Sequence, residues 1–265
     1  MAPERSPQRV LLVDDEPCIR ALQSARLRHL GVDVEPCASA LEALETLDAE
    51  PPDLILSDIV MPKLDGLEFC RRVKGNPATR QVVFAICSAL GRDVRERSLE
   101  AGADDFVPKS IDNPAFDIRL RLLLNLASRP GAVPAAQARI LVASADAFVR
   151  SQIASHLAPE PWEKSWAADP GDLKDALQAG PPDLLILDLA LPGLCPEERI
   201  RELRASPRGD TLPILVLVSR EQMPLLDALG PQIQDYLPKP LNAAETRHRV
   251  GLLFRLLGLP ASTAG

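Results

Sequence analysis

The chain has 265 residues, 46% of them apolar and 25% charged, and a formal charge of -7. That is enough for one large soluble domain or two ordinary ones. The negative balance, with no long basic run to offset it, argues against nucleic acid or an anionic membrane as the main partner.

The N-terminal "MAPERSPQ" is polar and has no apolar segment before Val10, so it is no signal peptide, and no run approaches a membrane span. The expected location is the cytoplasm. Short apolar runs then alternate with longer amphipathic stretches. The runs at 10–13, 32–34, 54–56, 82–86 and 106–107 predict buried parallel strands. The stretches at 19–30, 41–47, 67–73, 94–99 and 118–126 predict helices covering both sheet faces. Next comes "RPGAVPAAQA", a Pro/Gly/Ala linker over 129–138.

After the linker the pattern restarts. "PPDLILSDIVMP" from Pro51 has a counterpart, "PPDLLILDLALP", from Pro181. "VLLVDDEP" matches "ILVASADA", and "ADDFVPKS" matches "IQDYLPKP", each at an offset of 130. Val149, Ile153 and Leu157 lie on one helix face, as a repeat of the scheme requires. A repeat this long means two similar domains, at 9–128 and 139–257, each a doubly wound α/β sheet of five β-α units. The tail "GLPASTAG" reads as frayed. Trp162 and Trp166 read either as core residues or as an exposed docking pair. The five cysteines form no CxxC pair and no metal-like spacing with His29, His156 or His248, which predicts reduced thiols, mostly in cores.

Doubly wound sheets carry their sites at the carboxyl ends of the strands. Asp14 and Asp15 follow the first strand, Asp58 the third, Ser88 the fourth and Lys109 the fifth. Taken singly, each has a plain reading: the acid pair caps a helix, Asp58 belongs to a turn, Lys109 is a surface charge. Taken together, three carboxylates in one place repel, and a hard divalent cation such as magnesium relieves that repulsion. Lys109 then meets a phosphoryl oxygen, Ser88 donates to another, and one carboxylate serves as nucleophile. Asp58, alone at a strand end, is the best nucleophile.

These motifs resemble the receiver (CheY-like) domain of bacterial two-component response regulators, present twice. "VLLVDDEP", "DIVMPKLDGLEFCRR", "CSA" and "EAGADDFVPK" carry the resemblance as a set. It implies a flavodoxin-like sheet of strand order 2-1-3-4-5 in each domain. It implies Asp58 as phosphoacceptor, with Asp15, Asp58 and the Val60 backbone carbonyl ligating Mg2+ directly and Asp14 acting through water. Ser88 and Lys109 would bind the phosphoryl group, and Phe106 matches the aromatic switch position. The donor would be a histidine kinase or a histidine phosphotransfer protein, whose histidine the partner supplies. The family usually has proline after the lysine, often with a cis peptide bond. Here it is Ser110, so that loop is expected to be trans and the lysine's reach to differ.

The second copy keeps Asp188, Ser219, Tyr236, Lys239 and Pro240, but its acid pair is Ser144 and Ala145. Alanine offers no ligand atom, so magnesium affinity should be poor. Asp146, matching Glu16, is the residue that would have to restore it. Cys195 and Pro196 replace Asp65 and Gly66. This copy reads as a degenerate receiver that docks a partner or supports a homodimer. No helix-turn-helix and no second enzyme domain follow it. The order, intact then degenerate, resembles the input half of regulators ending in a diguanylate cyclase domain, so the chain is either a piece of such a protein or a double receiver working through protein contacts on a downstream target. A phosphohydrolase is disfavoured: two residues past each nucleophile stand Val60 and Ala190, neither able to shuttle a proton. A phosphorylation-independent scaffold is the third reading.

Overall fold

A computed structural model describes residues 8–49, 51–88, 92–109, 114–128, 138–193, 195–206 and 209–257. Ser110 and residues 129–137 of the expected linker lie outside the described residues, as does the tail from 258. The chain divides into two compact units, Met1–Phe116 with Leu123–Pro130, and Asp117–Leu122 with Gly131–Gly265.

The first sheet comprises β1 (Arg9–Val13), β2 (Asp33–Cys37), β3 (Leu54–Ser57), β4 (Val83–Ser88) and β5 (Asp105–Pro108). Its order is β2-β1-β3-β4-β5 and every pairing is parallel. β3 and β4 are buried along their whole length, which is why they read as unbroken apolar runs rather than as alternating ones. The linking helices are α1 (Pro17–His29), α2 (Ala40–Ala49), α3 (Gly66–Gly75), α4 (Arg92–Glu100) and α5 (Pro114–Ala127). α3 shows how the sequence sets a helix: Asp65 caps it by accepting from the Glu68 amide at 2.8 Å, and Leu67, Phe69, Cys70 and Val73 line its buried face. Phe69 meets Phe84 of β4 edge to face, with ring centroids 5.3 Å apart.

The second sheet repeats the plan with β6 (Arg139–Ala143), β7 (Glu163–Ala167), β8 (Leu184–Asp188), β9 (Ile214–Val218) and β10 (Asp235–Pro238), in the order β10-β9-β8-β6-β7. Its helices are α6 (Ala147–His156), α7 (Pro170–Ala179), α8 (Pro196–Ala205), a single turn α9 (Leu226–Leu229) and α10 (Ala243–Leu257). The repeat fails at the fourth helix. Where the first unit has nine-residue α4, the second has a 3-10 turn at Arg220–Leu225, then α9, then a second 3-10 turn at Gly230–Gln232. Pro224 and Pro231 are the cause, since proline donates no amide and its ring clashes with the preceding turn.

The tryptophans divide between the two expected readings. Trp162 is buried against Phe254 of α10, with centroids 4.8 Å apart, whereas Trp166 on β7 is 40% exposed. Cys37, Cys70 and Cys87 are buried, while Cys18 and Cys195 are exposed, and all five are free thiols.

The two units also solve one interior problem differently. Lys74 of α3 bonds the Asp104 carboxylate at 2.5 Å and the Val82 carbonyl at 2.7 Å, and that carboxylate also accepts from the Phe84 amide at 2.9 Å. The counterparts are Arg204 and Gln234: Arg204 donates to the Leu212 carbonyl at 2.6 Å and to Gln234 at 3.2 Å, and Gln234 accepts from the Ile214 amide at 2.7 Å. An ion pair in one unit is a neutral acceptor under a guanidinium in the other.

Candidate functional site

In the first unit the loops after β1, β3 and β5 meet at one edge of the sheet. Pairing dictates this: Val13 lies beside Ser57 and Ser57 beside Ile86, so the residues that follow emerge side by side. Asp14 is tied to the edge by its amide, which donates to the Cys37 carbonyl at 3.2 Å, and Asp58 by its own, which donates to the Val13 carbonyl at 2.8 Å. One carboxylate oxygen from each of Asp14, Asp15 and Asp58 lies within 4.8 Å of the others. Asp14 and Asp58 are buried and Asp15 is partly exposed.

Lys109 bridges two of them. Its Nζ stands 2.9 Å from Asp14 Oδ2 and 2.9 Å from Asp58 Oδ2. Burial works against the ammonium charge, but the hydrogen bonds to Asp14 and Asp58 outweigh it and hold the lysine above its usual range. The second oxygens are committed to the backbone: Asp14 Oδ1 accepts from the Glu16 amide and Asp58 Oδ1 from the Ile59 amide, at 2.9 and 2.8 Å. Asp14 is therefore no helix cap. α1 starts at Pro17, with Glu16 at the cap position and no side-chain bond there. Three carboxylates against one ammonium leave two formal negative charges in a confined place. That donor set, oxygen only and doubly negative, fits a hard divalent cation.

Ser88 ends β4, buried, in register with Pro108, and its carbonyl accepts from the Lys109 amide at 3.0 Å. Phe106 is buried among the core residues of the first unit, in register with Ile86, with the Arg95 guanidinium 5.6 Å from its ring centroid. Val60, two residues past Asp58, is 65% exposed.

Two supports were not singled out from the sequence. Arg20 of α1 donates to the Asp14 carbonyl at 2.5 Å, and Arg150 of α6 does the same to Ser144 at 2.5 Å. The recurrence of an arginine at the same offset was the available signal. Gly66 is the other. A Cβ placed there would fall 2.0 Å from the Asp58 carbonyl oxygen, so only glycine lets α3 start this close to the nucleophile's own peptide. Its amide donates to the Ile59 carbonyl at 2.9 Å, and Lys63 reaches φ 71 to make the turn.

The second pocket is arranged differently. Asp188, buried, receives Lys239 Nζ on both oxygens, at 2.7 and 2.8 Å. Ser144 Oγ donates to Oδ2 at 2.7 Å and the Ala190 amide to Oδ1 at 3.0 Å. Ala145 is exposed, and Asp146 does not turn toward the pocket to replace a ligand: it caps α6, accepting from the Phe148 amide at 2.8 Å. Ser219 opens the 3-10 turn, its amide donating to Gln222 Oε1 at 3.0 Å, while its hydroxyl bonds Glu221 and holds that carboxyl below its usual range. Tyr236 is buried on β10, and the Lys239–Pro240 peptide is cis. With Pro196 where Gly66 would be, the loop after Asp188 is held instead by buried Arg199, whose guanidinium donates to the Leu191 and Pro192 carbonyls at 2.9 and 2.8 Å.

Comparison with known proteins agrees with this architecture. The response regulator receiver domain model matches residues 10–121 and again 140–251. Response regulator PleD of Caulobacter vibrioides is 29% identical over 264 residues, covering 91% of this chain and 58% of that protein. The gliding motility regulatory protein of Myxococcus xanthus is 41% identical over 109 residues, 41% of this chain and 14% of that one. Among solved structures, the signal receiver domain of a signal transduction histidine kinase from Syntrophus aciditrophicus is 33% identical, covering 49% of this chain and 98% of that chain, with a TM-score of 0.43. The chain thus spans little more than half the length of PleD. Among the described residues no helix is long and apolar enough to cross a membrane. With the family model matched at both repeats, the chain belongs to the response regulator receiver domain family and carries that domain twice in tandem.

Proposed function

We propose that the first repeated domain, residues 9–128, is a phosphoryl-accepting switch, and that the second, residues 139–257 beyond a 129–138 linker, is its degenerate partner. The observation that carries this reading is Lys109 held between Asp14 and Asp58 with Asp15 alongside. Asp58 is the nucleophile. One of its carboxylate oxygens attacks the phosphorus of a phosphohistidine, the phosphorus–nitrogen bond breaks, the electron pair leaves with the imidazole, and an acyl phosphate forms. Asp14, Asp15, Asp58 and the Val60 carbonyl would hold Mg2+, which when bound neutralises charge on the transferring group. Lys109 moves from carboxylate to phosphoryl oxygen without leaving the pocket, and Ser88 donates to a second oxygen.

The donor is a histidine kinase or a histidine phosphotransfer protein, and the output is a changed affinity for a downstream protein. Added charge at Asp58 draws Lys109 and Ser88, and Phe106, packed beside Ser88's strand, follows the shift. The second unit serves as an adaptor or homodimerisation module. Incubation with magnesium and a small phosphodonor, followed by intact mass and location of the modified residue, tests the reading. One phosphoryl group on Asp58 is expected, and a change in oligomeric state or partner binding should accompany it. Stoichiometric labelling of the Asp58→Asn variant would reject the assignment.

A further inference from the structure

We infer that Ser144 is the specificity residue that keeps the second pocket closed to cation and phosphoryl group, because with Lys239 it already completes the Asp188 carboxylate. This goes beyond loss of a ligand, although it rests on reading Asp58 as the phosphoacceptor of the first pocket. In that pocket one lysine faces three carboxylates and two formal negative charges are uncompensated. In the second, one lysine faces one buried carboxylate and the formal charges cancel. Each Asp188 oxygen has two donors, Lys239 and the Ala190 amide on Oδ1 and Lys239 and Ser144 on Oδ2, whereas Asp58 has Lys109 on one oxygen and the Ile59 amide on the other. Ser144 is fully buried, and its hydroxyl also accepts from the Asp146 amide at 3.2 Å, so it cannot swing away without giving up two hydrogen bonds. Ser219 is drawn into the 3-10 turn as well, its amide donating to Gln222 Oε1 at 3.0 Å.

The two pockets therefore respond oppositely to the same chemistry. The first gains stability from a divalent cation, the second has nothing to gain. Removing a carboxylate charge from the first relieves repulsion, while removing that of Asp188 from the second breaks a buried ion pair. Phosphoryl entry at Asp188 would require Lys239 and Ser144 to be displaced together, with no cation to replace them. Incoming phosphoryl groups are directed to Asp58 alone.

Both tryptophans, Trp162 and Trp166, lie in the second unit, so their fluorescence follows that unit in the intact chain. Urea and thermal unfolding should be read by tryptophan emission, with and without millimolar magnesium, for the wild type, Asp188→Asn and the double variant Ser144→Asp/Ala145→Asp. The wild-type midpoint is expected not to move with magnesium. Asp188→Asn should unfold about 10 °C or more below it. The double variant should acquire a saturable, magnesium-dependent rise in midpoint, as mass action requires of a new cation site. A saturable magnesium response of the wild-type emission, or an Asp188→Asn midpoint equal to or above wild type, would overturn the inference. So would a folded double variant indifferent to magnesium. If the double variant does not fold, the first two measurements decide alone. Labelling at Asp58 is scored on the same samples, so failure of the first-pocket reading would show there and leave the emission result separate.

Discussion

The Lys109 ammonium lies equidistant, at 2.9 Å, from Asp14 and Asp58. It is shared between a residue of the acid pair and the nucleophile, so it screens both and belongs to neither. Replacing it with methionine keeps the length of the stem and removes the charge. Lys109→Met should destabilise the first unit by about 3 kcal/mol in magnesium-free buffer, since three carboxylates are left without their cation. It should also lower phosphoryl labelling at Asp58 by at least about tenfold, the usual scale for losing a positioned charge. Calorimetry and intact mass check the two effects independently.

The pH dependence follows from the same contact. The native Lys109 pKa is raised because the two hydrogen bonds outweigh burial. A raised value means the stabilisation is fully present below the unfolded lysine's value and is lost as pH climbs through the native one. The stability difference between wild type and Lys109→Met should thus stay constant from about pH 7 to about pH 10, then shrink. A difference that vanished near neutrality would contradict the geometry.

At Gly66 a methyl group would collide with the Asp58 carbonyl oxygen, 2.0 Å away. That contact is backbone and cannot yield by a rotamer change. Gly66→Ala should cost about 2–4 kcal/mol in the first unit and weaken magnesium binding there, because α3 must retreat and carry the Asp58 loop with it. Denaturant midpoints and a calorimetric magnesium titration measure both.

Thiol reactivity offers a test of burial. Desolvation lifts Cys37 to about 11 and Cys70 and Cys87 to about 12. Cys18 and Cys195 are exposed. A disulfide reagent applied to the native chain should modify two of the five thiols quickly, at those positions, and the other three only on unfolding.

Trp162 and Trp166 should differ sharply on truncation. Trp162→Ala empties a buried site against Phe254 and should cost about 3–5 kcal/mol, whereas Trp166→Ala, half in solvent, should cost under about 1 kcal/mol. Equilibrium denaturation followed by far-ultraviolet circular dichroism would separate them.

Much of this was legible from residues alone, and for identifiable reasons. The inner strands β1, β3 and β4 are apolar without interruption because helices cover both faces, so their positions followed from the pattern, whereas the strand order followed from the resemblance to receiver domains. Asp14, Asp15, Asp58 and Lys109 were legible as a group because each stands at a strand's carboxyl end, where parallel pairing brings them together. The broken fourth helix of the second unit was not, because "EQMPLLDALGPQ" keeps helical spacing of apolar residues while its two prolines deny the backbone. Nor was Arg199. It stands where the first unit has Phe69, and an arginine in a helix reads as surface until the carbonyls that bury it are seen. Ser144 read as a lost ligand, and its gain as a donor to Asp188 depends on a distance no spacing encodes.

Lys74 with Asp104, and Arg204 with Gln234, have a consequence for how a duplicated chain folds. Two similar halves tethered in one polypeptide invite exchange of strands and helices between them while folding. A crossed assembly would set Lys74 beneath a neutral amide or the larger Arg204 guanidinium into a hole shaped for Lys74 and Asp104. Either mismatch leaves interior groups poorly partnered, while each correct pairing satisfies its own set. Divergence at this one buried contact thus helps each half recognise itself.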